Sequence, residues 1–111
     1  METIQGPDFE KIDIRVGTVT DAREFPNARK PAYQLTVDFG EAGIKKSSAQ
    51  ITAYYLPSDL IGKQVIGILN FPPRQIANFF SECLILGIYD ASGAVVLLQP
   101  ERPVDNGCKI G

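Results

Sequence analysis

Four cations, three aromatic rings and a set of short polar side chains carry the chemistry available to this chain. Arg15, Lys45, Lys46 and Arg74 are the basic residues expected near one face. Together they would make an electrostatic footprint for phosphates or for acidic peptide groups. Lys45 and Lys46 are neighbours in an extended run, so only one of them can point to a given side. Phe71, Phe79 and Phe80 can stack bases or line an apolar peptide pocket. Asn70, Ser47, Ser48, Ser81 and Glu82 offer hydrogen-bonding groups beside those rings. The blander alternatives are a solvated exterior balanced by Asp13, Asp38 and Glu82, and aromatic rings that plug a barrel mouth. No catalytic constellation stands out. The chain has no histidine, which removes the commonest general base and the commonest metal ligand. No metal-ligand spacing, phosphate-binding glycine loop or nucleophile elbow occurs, so no cofactor and no metal are expected.

The three rings fall in one stretch, Gln64 to Tyr89, with Asn70, Ser81 and Glu82, while Ser47 and Ser48 precede it. Val65-Ile66-Gly67-Ile68-Leu69 and Cys83-Leu84-Ile85-Leu86-Gly87-Ile88-Tyr89 are apolar runs too short for free-standing helices. Each is expected to be a strand buried on both faces. Pro72-Pro73 bars a regular ladder between them, so Asn70 to Glu82 is expected to be a loop presented by two stiff strands.

The remaining chain supplies more strands. Asp8 is expected to cap a helical turn at Phe9-Glu10-Lys11. Ile12 to Glu24 follows as a long strand, with Gly17 as its bulge or bend. Ala32 to Phe39 alternates, with Tyr33, Leu35, Val37 and Phe39 on one face and Gln34, Thr36 and Asp38 on the other. Gly40-Glu41-Ala42-Gly43 turns the chain into a more polar strand, Ile44 to Ile51. A helical connection to Gly62 comes next, broken at Pro57, with Tyr54 and Tyr55 packing it onto the sheet. Ala94 to Gln99 pairs back on the strand that precedes it. Five main strands with short helical connections predict an all-β fold, the five-stranded OB-fold Greek-key barrel, with a β-sandwich as the alternative the pattern leaves open. Residues 1–7 are expected to be a tail and 8–111 the domain. Apolar Ile4, Val104 and Ile110 in the two tails predict an isologous homodimer.

At 111 residues and 44% hydrophobic content the chain has the size and composition of one folded domain. Its net charge of −2 argues against an indiscriminate nucleic-acid binder. No apolar run is long enough to span a bilayer and no secretory leader is visible, so a cytoplasmic protein without membrane insertion is expected. Of the two cysteines, Cys83 reads as a buried free thiol.

Several runs carry a family resemblance. Asp8-Phe9-Glu10-Lys11-Ile12-Asp13-Ile14-Arg15-Val16-Gly17, Asp38-Phe39-Gly40, and Leu60-Ile61-Gly62-Lys63-Gln64-Val65-Ile66 followed by Asn70-Phe71 resemble one module. It is the tRNA-binding OB-fold domain found at the C-terminus of methionyl-tRNA synthetases and in EMAP-like cytokine precursors. Ser47-Ser48-Ala49-Gln50-Ile51-Thr52, Asn70 to Ala77, Val95 to Pro100 and Asn106 to Gly111 are similar to the bacterial export-related chaperones within that family. The resemblance implies an OB fold, a homodimer, and a chaperone with a peptide-binding cleft. Its partners would be unfolded preproteins and the export translocase ATPase. The wider family often has Ser-Glu-Gly-Met where this chain has Ser81-Glu82-Cys83-Leu84, which implies only weak tRNA binding.

Overall fold

The computed structural model describes residues 1–111 and is mostly β. Five strands form one antiparallel sheet in the order β3-β2-β1-β4-β7. They are β1 (Ile14–Glu24), β2 (Tyr33–Asp38), β3 (Ile44–Ala49), β4 (Gln64–Ile68) and β7 (Leu84–Ile85). Two separate hairpins accompany them, β5 (Arg74–Ile76) with β6 (Phe79–Ser81) and β8 (Gly87–Tyr89) with β9 (Val95–Leu97). The sheet curls into a nearly closed barrel of the OB type. No helix is long and apolar enough to cross a membrane.

β1 is shared between two neighbours. Its first half, Ile14–Thr18, pairs with β4, and Thr18–Glu24 pairs with β2. The bulge falls at Thr20, where the register on β2 advances one residue while β1 advances two, rather than at Gly17 as the sequence predicts. Gly17 has a different reason to be there. A Cβ at Gly17 would stand 2.7 Å from the Phe39 ring, and one at Gly67 would stand 2.9 Å from it. Phe39 is fully buried and lies across both glycines, so the ring occupies the space that two side chains would need.

The core holds Val19, Ala22, Tyr33, Leu35, Val37, Phe39, Leu60 and Val65 among others. The alternation expected for β2 is present, since Tyr33, Leu35 and Val37 are buried while Gln34, Thr36 and Asp38 are only partly covered. Helix α2 (Pro57–Leu60) begins at Pro57, in the first turn where proline is tolerated, so Pro57 starts the helix instead of breaking it. Tyr55 fastens this connection: its carbonyl accepts from Tyr33 Oη at 2.7 Å, and its own Oη accepts the Leu97 N–H at 3.0 Å. Tyr54 is exposed and donates to Asp90 instead.

Helix α1 (Gly6–Glu10) starts within the expected tail. Asp8 stabilises it from the third helical position, accepting the Gln5 N–H at 2.9 Å, so it completes the cap rather than forming the N-cap. The last residues form a strap along the free edge of β1's first half. Gly107 N–H donates to the Val16 carbonyl (2.7 Å), Val16 N–H to Cys108 (3.0 Å) and Ile110 N–H to Ile14 (2.9 Å).

The segment 83–89 departs from its expectation. It is two short strands, and Leu84, Ile88 and Tyr89 are 45, 53 and 80% exposed instead of buried on both faces. The segment 70–82 is not a plain loop either, because it contains the β5–β6 hairpin.

Candidate ligand-binding face

The barrel's open outer face is built by three strands in register. Asp21 lies opposite Thr36 and Thr36 opposite Lys46; Arg23 lies opposite Gln34 and Gln34 opposite Ser48. The strand period of two puts all of these on the outer side. The β5–β6 hairpin rises beside them. Asp21, Arg23, Gln34, Leu35, Thr36, Lys46 and Phe79 line a shallow cavity of about 210 Å³.

The lining is polar with one aromatic wall. Phe79 is held by an edge-to-face contact with Phe25, with centroids 5.4 Å apart and planes at 62°. This contact ties the hairpin to the loop between β1 and β2. Arg23 Nε pairs with Asp21 Oδ2 at 2.7 Å, in the open. Lys46 and Arg74 have no carboxylate within ion-pair distance and are exposed. The face therefore has two unpaired cations and one cation shared with an acid.

The structure places the residues singled out from sequence in three different settings. Lys46 and Ser48 are on the face, and Arg74 is on the hairpin beside it. Lys45 stands opposite Val37, on the other side of β3 from Lys46, as alternation requires. Phe71 and Phe80 are 54 and 55% exposed, whereas Phe79 is half-buried.

Ser47 is completely buried and points into the barrel, so it is no part of an open face. Its neighbour is Cys83, whose thiol is pushed up to about 12, chiefly by burial, against a smaller opposing effect of the Ser47 hydrogen bond. Cys83 is accordingly an inert thiol at neutral pH.

Ser81 and Glu82 close the barrel. β3 is an edge strand, and no further strand ladder covers its outer edge. Two side chains and one backbone bond do so instead. Lys46 N–H donates to Glu82 Oε1 at 2.9 Å and Ser48 N–H to Ser81 Oγ at 3.0 Å. Glu82 N–H returns a bond to the Lys46 carbonyl at 2.7 Å. Three bonds thus make a seam between β3 and the chain leaving β6, in place of a strand ladder.

Arg15 and Asn70 hold the chain ends. Arg15 Nε pairs with Asp13 Oδ1 at 2.8 Å and its Nη1 donates to the Gly107 carbonyl at 3.2 Å. Asn70 Oδ1 accepts the Asp13 N–H at 2.9 Å, and its Nδ2 donates to the Lys11 carbonyl at 2.6 Å. Neither residue lines the cavity. Sequence reasoning missed Arg23, Gln34 and Thr36 as face residues. The alternation of β2 already put Gln34 and Thr36 together on a polar side, and that signal could have nominated them.

Apolar side chains remain uncovered elsewhere. Ile4 is 64% and Val104 38% exposed, and Ile110 lines a second cavity of about 240 Å³ with Phe9 and Ile12. Leu84, opposite Ile68, and the opposed pair Ile88–Val96 are exposed as well.

A family model described as "Putative tRNA binding domain" matches residues 14–109. Methionine–tRNA ligase of Methanocaldococcus jannaschii is 38% identical over 110 residues, covering 99% of this chain and 17% of that protein. The chain thus spans about a sixth of the length of the curated relatives it matches. Among solved structures, chaperone CsaA from Bacillus anthracis str. Ames superposes with a TM-score of 0.94 at 52% identity, covering 99% of this chain and all of that one. CsaA from Picrophilus torridus gives 0.92 at 49%, covering 98% and all of that chain. A MetRS-related protein from Pyrococcus horikoshii gives 0.89 at 25%, covering both chains in full.

Proposed function

Because the chain belongs to the tRNA-binding domain family, we propose that it works by binding rather than by catalysis, as a cytoplasmic homodimeric chaperone that holds unfolded segments of preproteins for export. The observation that carries this reading is the likeness to CsaA from two organisms at about half identity over whole chains. The site is consistent with it. Phe71 and Phe80 are exposed rings, Phe80 on the side of the hairpin away from Phe79, and Lys46, Arg74 and Ser48 supply polar anchors for a backbone or a carboxylate. A second copy covering the exposed apolar residues Ile4, Leu84, Ile88 and Val104 would double the number of grooves. The export translocase ATPase is the partner this reading assigns downstream.

A second reading, tRNA binding, is favoured by the polar cavity with its two cations Arg23 and Lys46, and by Arg74 on the hairpin beside it. Salt separates the two. Neutralising three phosphates of a single strand gives a log–log slope of roughly −2, so affinity should fall about twentyfold between 50 and 200 mM salt. Apolar contact does not weaken in that way. Fluorescence anisotropy with a labelled unfolded preprotein and with a tRNA transcript, each at both salt concentrations, makes the test. Salt-insensitive preprotein binding, with tRNA held no tighter than roughly 10⁻⁶ M, supports the chaperone reading. Nanomolar tRNA affinity with the steep slope reverses it.

A further inference from the structure

The strap contains the chain's one Asn-Gly pair, Asn106-Gly107. This dipeptide is chemically labile because glycine leaves the following amide nitrogen unshielded. The Gly107 nitrogen attacks Asn106 Cγ, its proton is lost and ammonia departs, which closes a five-membered imide. Water then opens either carbonyl and leaves aspartate or isoaspartate. No oxidant, metal or enzyme is required.

In the folded chain both reacting groups are held. The Gly107 N–H donates to the Val16 carbonyl at 2.7 Å. Asn106 Oδ1 accepts from Thr18 Oγ1 at 2.7 Å and from Gln64 Nε2 at 3.2 Å. The turn is fixed by Cys108 N–H on the Asp105 carbonyl at 3.2 Å and by Gly107 at φ +93°, as in a type II turn. The Asn106 carbonyl packs so closely on Gly40 that a Cβ there would lie 2.4 Å from its oxygen. The amide nitrogen is tied to β1 while the side chain is tied to β1 and β4, so the two cannot meet without the strap lifting.

We propose that Asn106-Gly107 is a spontaneous deamidation site kept shut by docking of the C-terminal strap, so that the covalent state of residue 106 records how often the strap has opened. The isoaspartate product cannot simply re-dock. It adds one backbone methylene at residue 106, just before the pair of bonds that Gly107 and Cys108 make with Val16. The register is lost and the first half of β1 is left with an open edge. Local opening of this kind is a sub-global event, with its own free energy below that of unfolding.

The test follows conversion at residue 106 by peptide mapping and mass spectrometry, with isoaspartate resolved from aspartate, on the full chain at pH 8. One arm is the folded chain and the other is the same chain unfolded in urea. Folded-state conversion should be at least tenfold slower. Thr18→Val removes one donor to Asn106, and Arg15→Met removes the donor to the Gly107 carbonyl. Each should speed folded-state conversion about fivefold, the factor that corresponds to about 1 kcal/mol of lost hydrogen bond, and leave the rate in urea unchanged. Equal rates in the folded and unfolded chain overturn the gating, and absence of conversion in urea overturns the site. A folded variant, with its melting midpoint within a few degrees of the parent, that converts at the parent's rate also overturns it. Hydrogen exchange at the Gly107 amide supplies the independent measure of strap opening and should rise in step with conversion.

Discussion

Glu82→Ala distinguishes a residue that closes the barrel from one that greets a ligand. In the structure Glu82 Oε1 accepts the Lys46 N–H at 2.9 Å, and the acid is only partly exposed. Alanine leaves that edge donor without its charged acceptor. Hydrogen bonds to charged groups contribute about 1.5–3 kcal/mol, and the lower end applies here because water can reach the edge. With an unfolding entropy of about 2.1 cal/mol/K per residue, a chain of 111 residues loses roughly 4 °C of melting midpoint per kcal/mol. Glu82→Ala should therefore lower the midpoint by about 6 °C. Glu82→Gln keeps an acceptor oxygen and should recover more than half of that. Differential scanning calorimetry gives the midpoint, and hydrogen exchange at the Lys46 amide should lose protection in the alanine variant alone. A Glu82→Ala chain that melts within 1 °C of the parent yet binds ligand poorly would refute the seam and return Glu82 to the binding face.

Phe79→Ala should cost about 2 kcal/mol, half of a fully buried phenylalanine, because the ring rests on Phe25; Phe80→Ala should leave the melting midpoint within 2 °C and weaken unfolded-preprotein binding, measured by anisotropy, about tenfold. Ala77 sits at φ +54° in the two-residue turn of the β5–β6 hairpin, a position that prefers glycine, so Ala77→Gly should raise stability by about 0.5 kcal/mol in urea titration. The folded pKa of Cys83 is raised above its ordinary value of 9.0 to about 12. The unfolded thiol therefore releases its proton first, and the associated stability is complete below pH 9 and declines as pH rises from there toward 12. Urea midpoints between pH 8 and 10.5 should fall less steeply for Cys83→Ala than for the parent.

Where an element is decided by its own residues, the sequence was legible. The alternation of β2 predicted its buried face, and the adjacency of Lys45 and Lys46 predicted that they would part. The turn expected at Gly40–Gly43 before β3 is present, and it takes the form of a 3₁₀ turn, Gly40–Ala42. What escaped was decided at a distance. Gly17 looks like a bulge in the strand pattern, but its reason lies more than twenty residues away in Phe39. Ser81 and Glu82 look like ligand-binding groups until β3 is found without a strand partner on its outer edge. The β5–β6 hairpin carries an Ala-Asn turn instead of Asn-Gly or Gly-X, so the usual two-residue signal was absent. Leu84, Ile88 and Tyr89 read as buried because apolar runs normally are; here the fold leaves them uncovered.

The ring of Phe39 across Gly17 and Gly67 has an evolutionary consequence. Three positions, one on β1, one on β4 and one just past the end of β2, share one volume, so none of them can drift alone. A methyl group at either glycine collides with the ring, and a smaller residue at 39 would leave a void beside both. Substitution there should be tolerated only in concert, with a shortened side chain at 39 preceding an alanine at 67, and an alanine at 17 requiring a shorter residue at Val37 as well. A deep mutational scan in two backgrounds, Phe39 and Phe39→Leu, would reveal this as sign epistasis: Gly67→Ala harmful in the first and neutral or beneficial in the second, with Gly17→Ala still harmful in both because Val37 Cγ1 also lies 2.7 Å from its added Cβ.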